Sequence, residues 1–243
     1  MAVPVQSCML SREPLYLQVC ELLTRRIAGG TWAPNASLPN EQELARELGV
    51  SSGTVRKALE KLEADRVVVR RQGRGTFVVD QATPEASSRF DGLRQADGSH
   101  LALRGKVIQR SCGAPTPREQ KALRIGPGEP VARKRRLLST SGRLFGVDDA
   151  CLALSRLPGL AAEDVGDWCV TVLAQRHGVH AARASEELRA VAAPRETAAL
   201  LSLEPGTMLL RLDRVISSIE RTPIEWRTLS CALRDEYYLA EVS

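Results

Sequence analysis

Only Gly49 and Val50 separate two helical signals, and that spacing constrains this chain more than any other feature in it. Asn40 is placed to cap a first helix, with Glu43 three residues on in a capping-box arrangement, Asn standing for the usual Ser or Thr. Leu44, Ala45 and Leu48 form its inner face, and Gly49 ends it. Ser51 can then cap a second helix, whose apolar stripe is Val55, Ala58, Leu59 and Leu62. Two short helices joined through a glycine turn make a helix-turn-helix. Upstream, Leu15, Val19, Leu22, Leu23 and Ile27 trace one face of another helix, which Gly29 and Gly30 stop. Downstream, "RVVVRRQGRGTFVV" is two β-branched runs around a Gly-x-Gly turn, the pattern of a small hairpin or wing.

The second helix opens unusually: Ser51, Ser52, Gly53 and Thr54 are all small, and glycine weakens a helix. Residues 51–79 hold seven Lys or Arg (Arg56, Lys57, Lys61, Arg66, Arg70, Arg71, Arg74) against three acids, so most of the chain's net charge of +5 gathers there. A basic helix and hairpin form an electrostatic footprint for phosphate. A recognition helix enters the major groove by its N-terminal end, where bulky residues would hold it off the bases. Small hydroxyls and a bare glycine let backbone N–H groups approach phosphate or base edges, and Arg56 is long enough to reach a guanine edge or a phosphate.

These residues resemble the N-terminal winged helix-turn-helix of the GntR family of bacterial transcription regulators, over residues 12 to 79. The resemblance implies DNA contacts by Gln42, Ser51, Ser52, Gly53, Thr54 and Arg56, with the basic Lys57 beside them, and by Gln72, Gly73 and Arg74 of the wing. Many members of the family carry Arg where this chain has Gln42, and often again at Ser52. Those arginines help read the family's GT/AC-type half-sites, so the operator sequence stays open here.

"DQATPEASS" (80–88) is polar, without apolar periodicity, and reads as a linker. Residues 89–243 are enough for a second domain. They contain an internal echo: Arg118, Glu119, Ala122 and Leu123 align with Arg195, Glu196, Ala199 and Leu200. After a one-residue insertion, Pro127, Gly128, Val131, Arg133 and Arg136 align with Pro205, Gly206, Leu209, Arg211 and Arg214. Each copy reads as a short helix, a Pro-Gly turn, and a strand leading into a hairpin. Two copies suggest a pseudo-symmetric antiparallel sheet with helices on one side and a cleft between its halves. Between the copies, "DVGDWCVTVLAQRHG" reads as a helix with Trp168, Val172 and Leu173 inward. The expected class is α+β: a winged helix-turn-helix followed by an antiparallel-sheet domain with helices.

This half is similar to the UTRA effector-binding domain of HutC-type GntR regulators, whose fold is like that of chorismate lyase. The marks are "GPGEPVARKRRLL", "GRLFGVDDACL", "LPGL", "LEPGTMLLRLDRVI" and "PIEWRTLSCALRDEYYL". By position, the resemblance implies effector contacts by Arg135, Asp148, Thr171 and Glu225. A second Arg of some sugar-phosphate-binding members corresponds to Leu137.

Enzymatic signatures are lacking: the sequence has no G-x-S-x-G, H-E-x-x-H or P-loop. His100, His177 and His180 have no evident nucleophile or acid partner, and the latter two suggest solvated surface near a helix end. Six scattered cysteines (Cys8, Cys20, Cys112, Cys151, Cys169, Cys231) form no C-x-x-C pair and read as free thiols, mostly buried. No metal and no cofactor is expected. With neither a signal peptide nor a membrane-length apolar run, the expectation is a cytoplasmic, homodimeric regulator of double-stranded DNA, acting on a pseudo-palindromic operator and answering to a small effector.

Overall fold

The computed structural model describes residues 13–83, 90–160 and 166–240. The chain starts with three helices, α1 (Leu15–Ala28), α2 (Glu41–Leu48) and α3 (Ser52–Ala64), followed by the hairpin β1 (Val68–Arg71) and β2 (Gly75–Val78). The caps are those the side chains dictate. Asn40 Oδ1 accepts from Glu43 N and Glu43 Oε2 from Asn40 N, both at 2.9 Å, and Gly49 closes α2 in the left-handed region. Ser51 Oγ accepts from Thr54 N at 3.1 Å. Val19, Leu23, Leu44, Leu48, Val55, Leu59, Leu62, Val67 and Val78 then make one core. Leu59 and Leu62 are essentially fully buried, so truncating either to Ala would cost about 2–5 kcal/mol. The inner face of α1 is Val19, Cys20, Leu23 and Thr24; Leu15 stays half exposed because it lies one turn outside that contact.

The second part is built on a six-stranded antiparallel sheet in the order β4-β5-β6-β9-β8-β7. The strands are β4 (Arg104–Gly113), β5 (Val131–Thr140), β6 (Arg143–Ala153), β7 (Ala181–Ala192), β8 (Met208–Ser218) and β9 (Pro223–Cys231). A separate two-stranded ribbon pairs β3 (Leu93–Arg94) with β10 (Tyr237–Tyr238). The repeat expected from sequence is present: β6 and β9 meet at the centre, and the two halves are each strand, helix and hairpin. Its helices are α4 (Pro117–Leu123) and α6 (Arg195–Leu201), capped at Thr116 and Arg124 and at Pro194 and Ser202. Both caps are therefore 78 residues apart, so the one-residue insertion falls before the helix. The structural partner of Leu123 is buried Leu201 rather than Leu200.

Helices occupy both faces of the sheet, which corrects the expected one-sided arrangement. On one face α4 covers Val131, Cys151 and Ala153, and α6 covers Val147 and Leu209. On the other lies α5 (Val170–Arg176), packed with Ala132, Ala150, Leu152, Ile216 and Ile224. This helix is only seven residues long. Its inward positions are Val170, Thr171 and Ala174, with Trp168 buried just ahead of it, whereas Val172 and Leu173 are half-buried.

The two parts are joined by specific contacts. Gln81, read from sequence as linker, is buried: its Nε2 meets His180 Nε2 at 2.9 Å and donates to Ala181 O at 3.0 Å. Its backbone N donates to Gln175 Oε1 at 3.0 Å, and its carbonyl accepts from Thr171 Oγ1 at 3.3 Å. His180 is thus a buried joint residue, not solvated surface. Arg183 Nη2 pairs with Asp65 Oδ1 at 3.1 Å, and Ile219 packs on the head's core. Gly178 has φ +69°, and a Cβ there would lie 2.6 Å from Ala28 O at the end of α1, so only glycine fits. Residues 84–88 of the linker and Cys8 lie outside the described residues.

Candidate nucleic-acid interface and ligand cleft

At the start of α3, Ser51 Oγ and Thr54 Oγ1 lie 2.9 Å apart, and Ser51, Gly53 and Arg56 are exposed. Gly53 has an ordinary negative-φ backbone, and an added Cβ would meet nothing nearer than Ser51 Oγ at 3.8 Å. Neither backbone conformation nor internal packing therefore requires a glycine that weakens the helix. A side chain there would project into open space at the exposed end of α3. Gln42 is exposed on α2, and Gln72, Gly73 and Arg74 form the exposed wing turn, closed by Arg74 N donating to Arg71 O at 2.9 Å. Gly73 takes φ +69° there.

The basic side chains divide into two groups. Lys57 Nζ sits 4.3 Å from the centroid of the Tyr16 ring, and the Arg71 guanidinium 4.7 Å from that of Phe77, on exposed residues. Both keep their charge at the surface. Arg70 is instead surrounded by acids, with Glu41, Glu63 and Glu60 at 3.5, 3.7 and 4.0 Å. It counts toward the local charge but serves the fold.

In the second part, a cavity of about 350 Å³ lies on the α5 face of the sheet, lined by Arg136, Asp148, Cys169, Arg214, Arg227 and a wall of leucines that includes Leu103 and Leu229. Asp148 is buried and accepts from Arg136 Nε at 2.9 Å and Nη2 at 2.7 Å, with Arg227 3.7 Å away. Burial works against its charge, but Arg227 and Arg136 outweigh it and hold its carboxyl below the usual range. Glu225 is fully buried beneath, accepting from Trp168 Nε1 at 2.5 Å and Arg227 Nε at 3.1 Å. Lys134, also fully buried, donates to Asp167 Oδ1 at 2.8 Å and to Trp168 O, with its ammonium 4.3 Å from that residue's ring. Burial and the nearby Arg136 lower its pKa, which Asp167 partly offsets.

Of the four residues implied by resemblance, Asp148 lines this cavity, and Glu225 supports it through Arg227. Thr171 turns instead to the joint, donating to Gln81 O. Arg135 is on the opposite face: it pairs with Asp149 at 2.7 Å and Glu196 on α6 at 2.6 Å. Alternation along β5 sends Arg136, the next residue, into the cavity in its place. Arg136, Arg214 and Arg227 were missed, although a signal existed for two of them. Arg136 and Arg214 occupy equivalent places in the repeat, and both line the cleft. Among the described residues, no cluster of His, Cys, Asp or Glu could hold a metal, and three cysteines are buried and two exposed.

A winged head of this form and a pseudo-symmetric sheet domain with a charged cleft define a DNA-binding regulator with a ligand domain. Residues 15–78 match the family of bacterial regulatory proteins, gntR family, and residues 98–234 match the UTRA domain. The chain belongs to the GntR family and to its HutC-type, UTRA-containing branch, and is a transcriptional regulator. It is 28% identical over 223 residues to the probable fructoselysine utilization operon transcriptional repressor of Escherichia coli, spanning 91% of both chains. It is 41% identical over 110 residues to the histidine utilization repressor of Pseudomonas putida, covering 45% of this chain and 42% of that one. YydK of Bacillus subtilis, described as a possible transcriptional regulator, shares the fold, with a TM-score of 0.55 at 20% identity over 95% of this chain and all of that one. No helix among the described residues is long and apolar enough to cross a membrane.

Proposed function

We propose that this chain is a repressor that leaves its operator when a small molecule occupies the cleft at Arg136, Asp148 and Arg227. The head is residues 12–79, the linker 80–88, and the ligand and dimerisation domain 89–243. Ser51, Ser52, Gly53, Thr54, Arg56 and Lys57, with Gln42 and the wing residues Gln72, Gly73 and Arg74, contact DNA. Two heads of a cytoplasmic homodimer occupy the half-sites of a pseudo-palindrome, matching protein two-fold to DNA two-fold. The chain acts by binding, without turnover. Two relatives, the probable fructoselysine utilization operon repressor and the histidine utilization repressor, support the direction of control.

The observation that carries the coupling is the buried joint at Gln81. Its carbonyl is held by Thr171, in the same short helix that follows Trp168, whose indole is bonded to Glu225 under the cleft. A ligand that rearranges Arg227 and Glu225 therefore pushes on the element to which the head is tied. A coupling of about 1–3 kcal/mol lowers operator affinity roughly 5- to 150-fold. The test is fluorescence anisotropy with DNA from upstream of the protein's own gene, against scrambled DNA at several salt concentrations. Preference of about a thousandfold for the native fragment is expected. Arg56→Ala should abolish much of it, and an unchanged preference in that variant would refute the assignment of α3. Sedimentation of the free protein as a monomer would refute the dimer.

A further inference from the structure

Glu41 is a carboxylate on the basic head, close to the proposed DNA-contacting surface, where a negative charge opposes phosphate. It stands at the first position of α2, and both its oxygens are engaged by arginines from other elements. Oε2 accepts from Arg56 Nε of α3 at 2.9 Å, and Oε1 lies 3.5 Å from Arg70 Nη2 of β1. Arg70 Nη2 also donates to Arg56 O at 3.4 Å. One carboxylate thus joins the start of α2, the recognition helix and the wing. The Arg56 side chain is 62% exposed, so the pair adds little to stability. The capping box of α2 is already complete through Glu43. Its distinctive effect is on geometry. Glu41 grips Arg56 only at Nε, and Nη1 and Nη2 hold no partner among the described residues.

We infer that Glu41 is a positioning residue for sequence readout: it restricts the Arg56 side chain so that the free guanidinium fork meets the O6 and N7 acceptors of one guanine per half-site. An unrestrained arginine at this place would as readily reach a phosphate, which binds without reading sequence. Glu41 thereby exchanges some non-specific attraction for discrimination. This inference rests on the assignment of α3 as the recognition helix.

The experiment uses full-length protein and a duplex selected by it from a random-sequence pool. Binding by anisotropy is compared with a scrambled duplex and with the selected duplex carrying 7-deazaguanine, which lacks N7. Wild type should lose roughly tenfold on 7-deaza substitution of the guanine that Arg56 reads. Glu41→Gln should lose much less on that substitution and should bind the scrambled duplex as well as or better than wild type, since a negative charge has gone. A double-mutant cycle guards against general damage: in the Arg56→Ala background, Glu41→Gln should change guanine discrimination no further. Equal weakening on all three duplexes, or an effect of Glu41→Gln that persists without Arg56, would overturn the inference. If Arg56→Ala itself left the 7-deaza penalty intact, the assignment of α3 would fail instead.

Discussion

Arg136 donates two hydrogen bonds to a single oxygen of Asp148, at 2.9 and 2.7 Å, within the cleft. Its neighbour Arg135 reaches Asp149 on the other face of the same sheet. Arg136→Ala leaves a buried carboxylate with Arg227 as its remaining close cation, so it should destabilise the protein by about 1–3 kcal/mol. Arg135→Ala should cost less than about 1 kcal/mol, because its pairs are half exposed. Urea denaturation of both variants checks the difference. In a thermal-shift screen, a ligand that stabilises wild type should fail with Arg136→Ala and still act on Arg135→Ala.

Gly53→Ala fills open space on α3 and removes a residue with poor helix propensity. The variant should be more stable by up to about 1 kcal/mol and yet bind operator more weakly. Paired urea and anisotropy measurements decide this. Unchanged operator affinity would show that nothing approaches that end of the helix closely.

Glu119 supplies a test by pH. Burial opposes its charge, but Arg133 at 2.6 and 2.7 Å and Thr116 N at 2.6 Å outweigh it, and its pKa falls from 4.5 to about 2. Because the folded-state pKa is depressed, its stabilisation is present above pH 4.5 and disappears as the pH falls toward 2. Glu119→Gln should therefore cost about 1–3 kcal/mol at neutral pH. The gap from wild type should close through that acid window in urea midpoints measured at each pH.

The joint at Gln81 should decide whether the chain unfolds as one unit. Gln81→Ala removes its bonds to His180 and Ala181 in a buried site. Wild type should melt in a single calorimetric transition and the variant in two, as the head separates energetically from the sheet domain. A single transition in both proteins would mean that Asp65–Arg183, Ile219 and the main-chain bonds of residue 81 to Gln175 and Thr171 suffice to hold the parts together.

Much of the local structure is legible from residue types. The capping box at Asn40, the cap at Ser51, the left-handed Gly49 and the wing turn all depend on contacts within a few residues. The long edge strands β4 and β7 are harder to read: most of their residues are exposed on both faces, so no two-residue apolar rhythm marks them. The inward face of α5 was misplaced for a related reason. Over seven residues, the few apolar side chains of "VTVLAQR" fit more than one helical phase, and inward Thr171 carries no apolar signal.

The sequence by itself determined the winged head, the repeat behind the sheet and the small-residue entrance to α3, because these follow from capping chemistry and periodicity over short spans. Tertiary structure alone decided which arginine of "RKRR" faces the cleft. A one-residue change of register in a strand moves every side chain to the opposite face, and the pairing of β5 with β6, which sets Arg135 opposite Asp149 and Arg136 opposite Asp148, fixes it here. It also decided that Gln81 and His180 form a buried joint. Their polarity suggested exposure, and the contacts that hold them away from water join residues nearly a hundred positions apart in the chain.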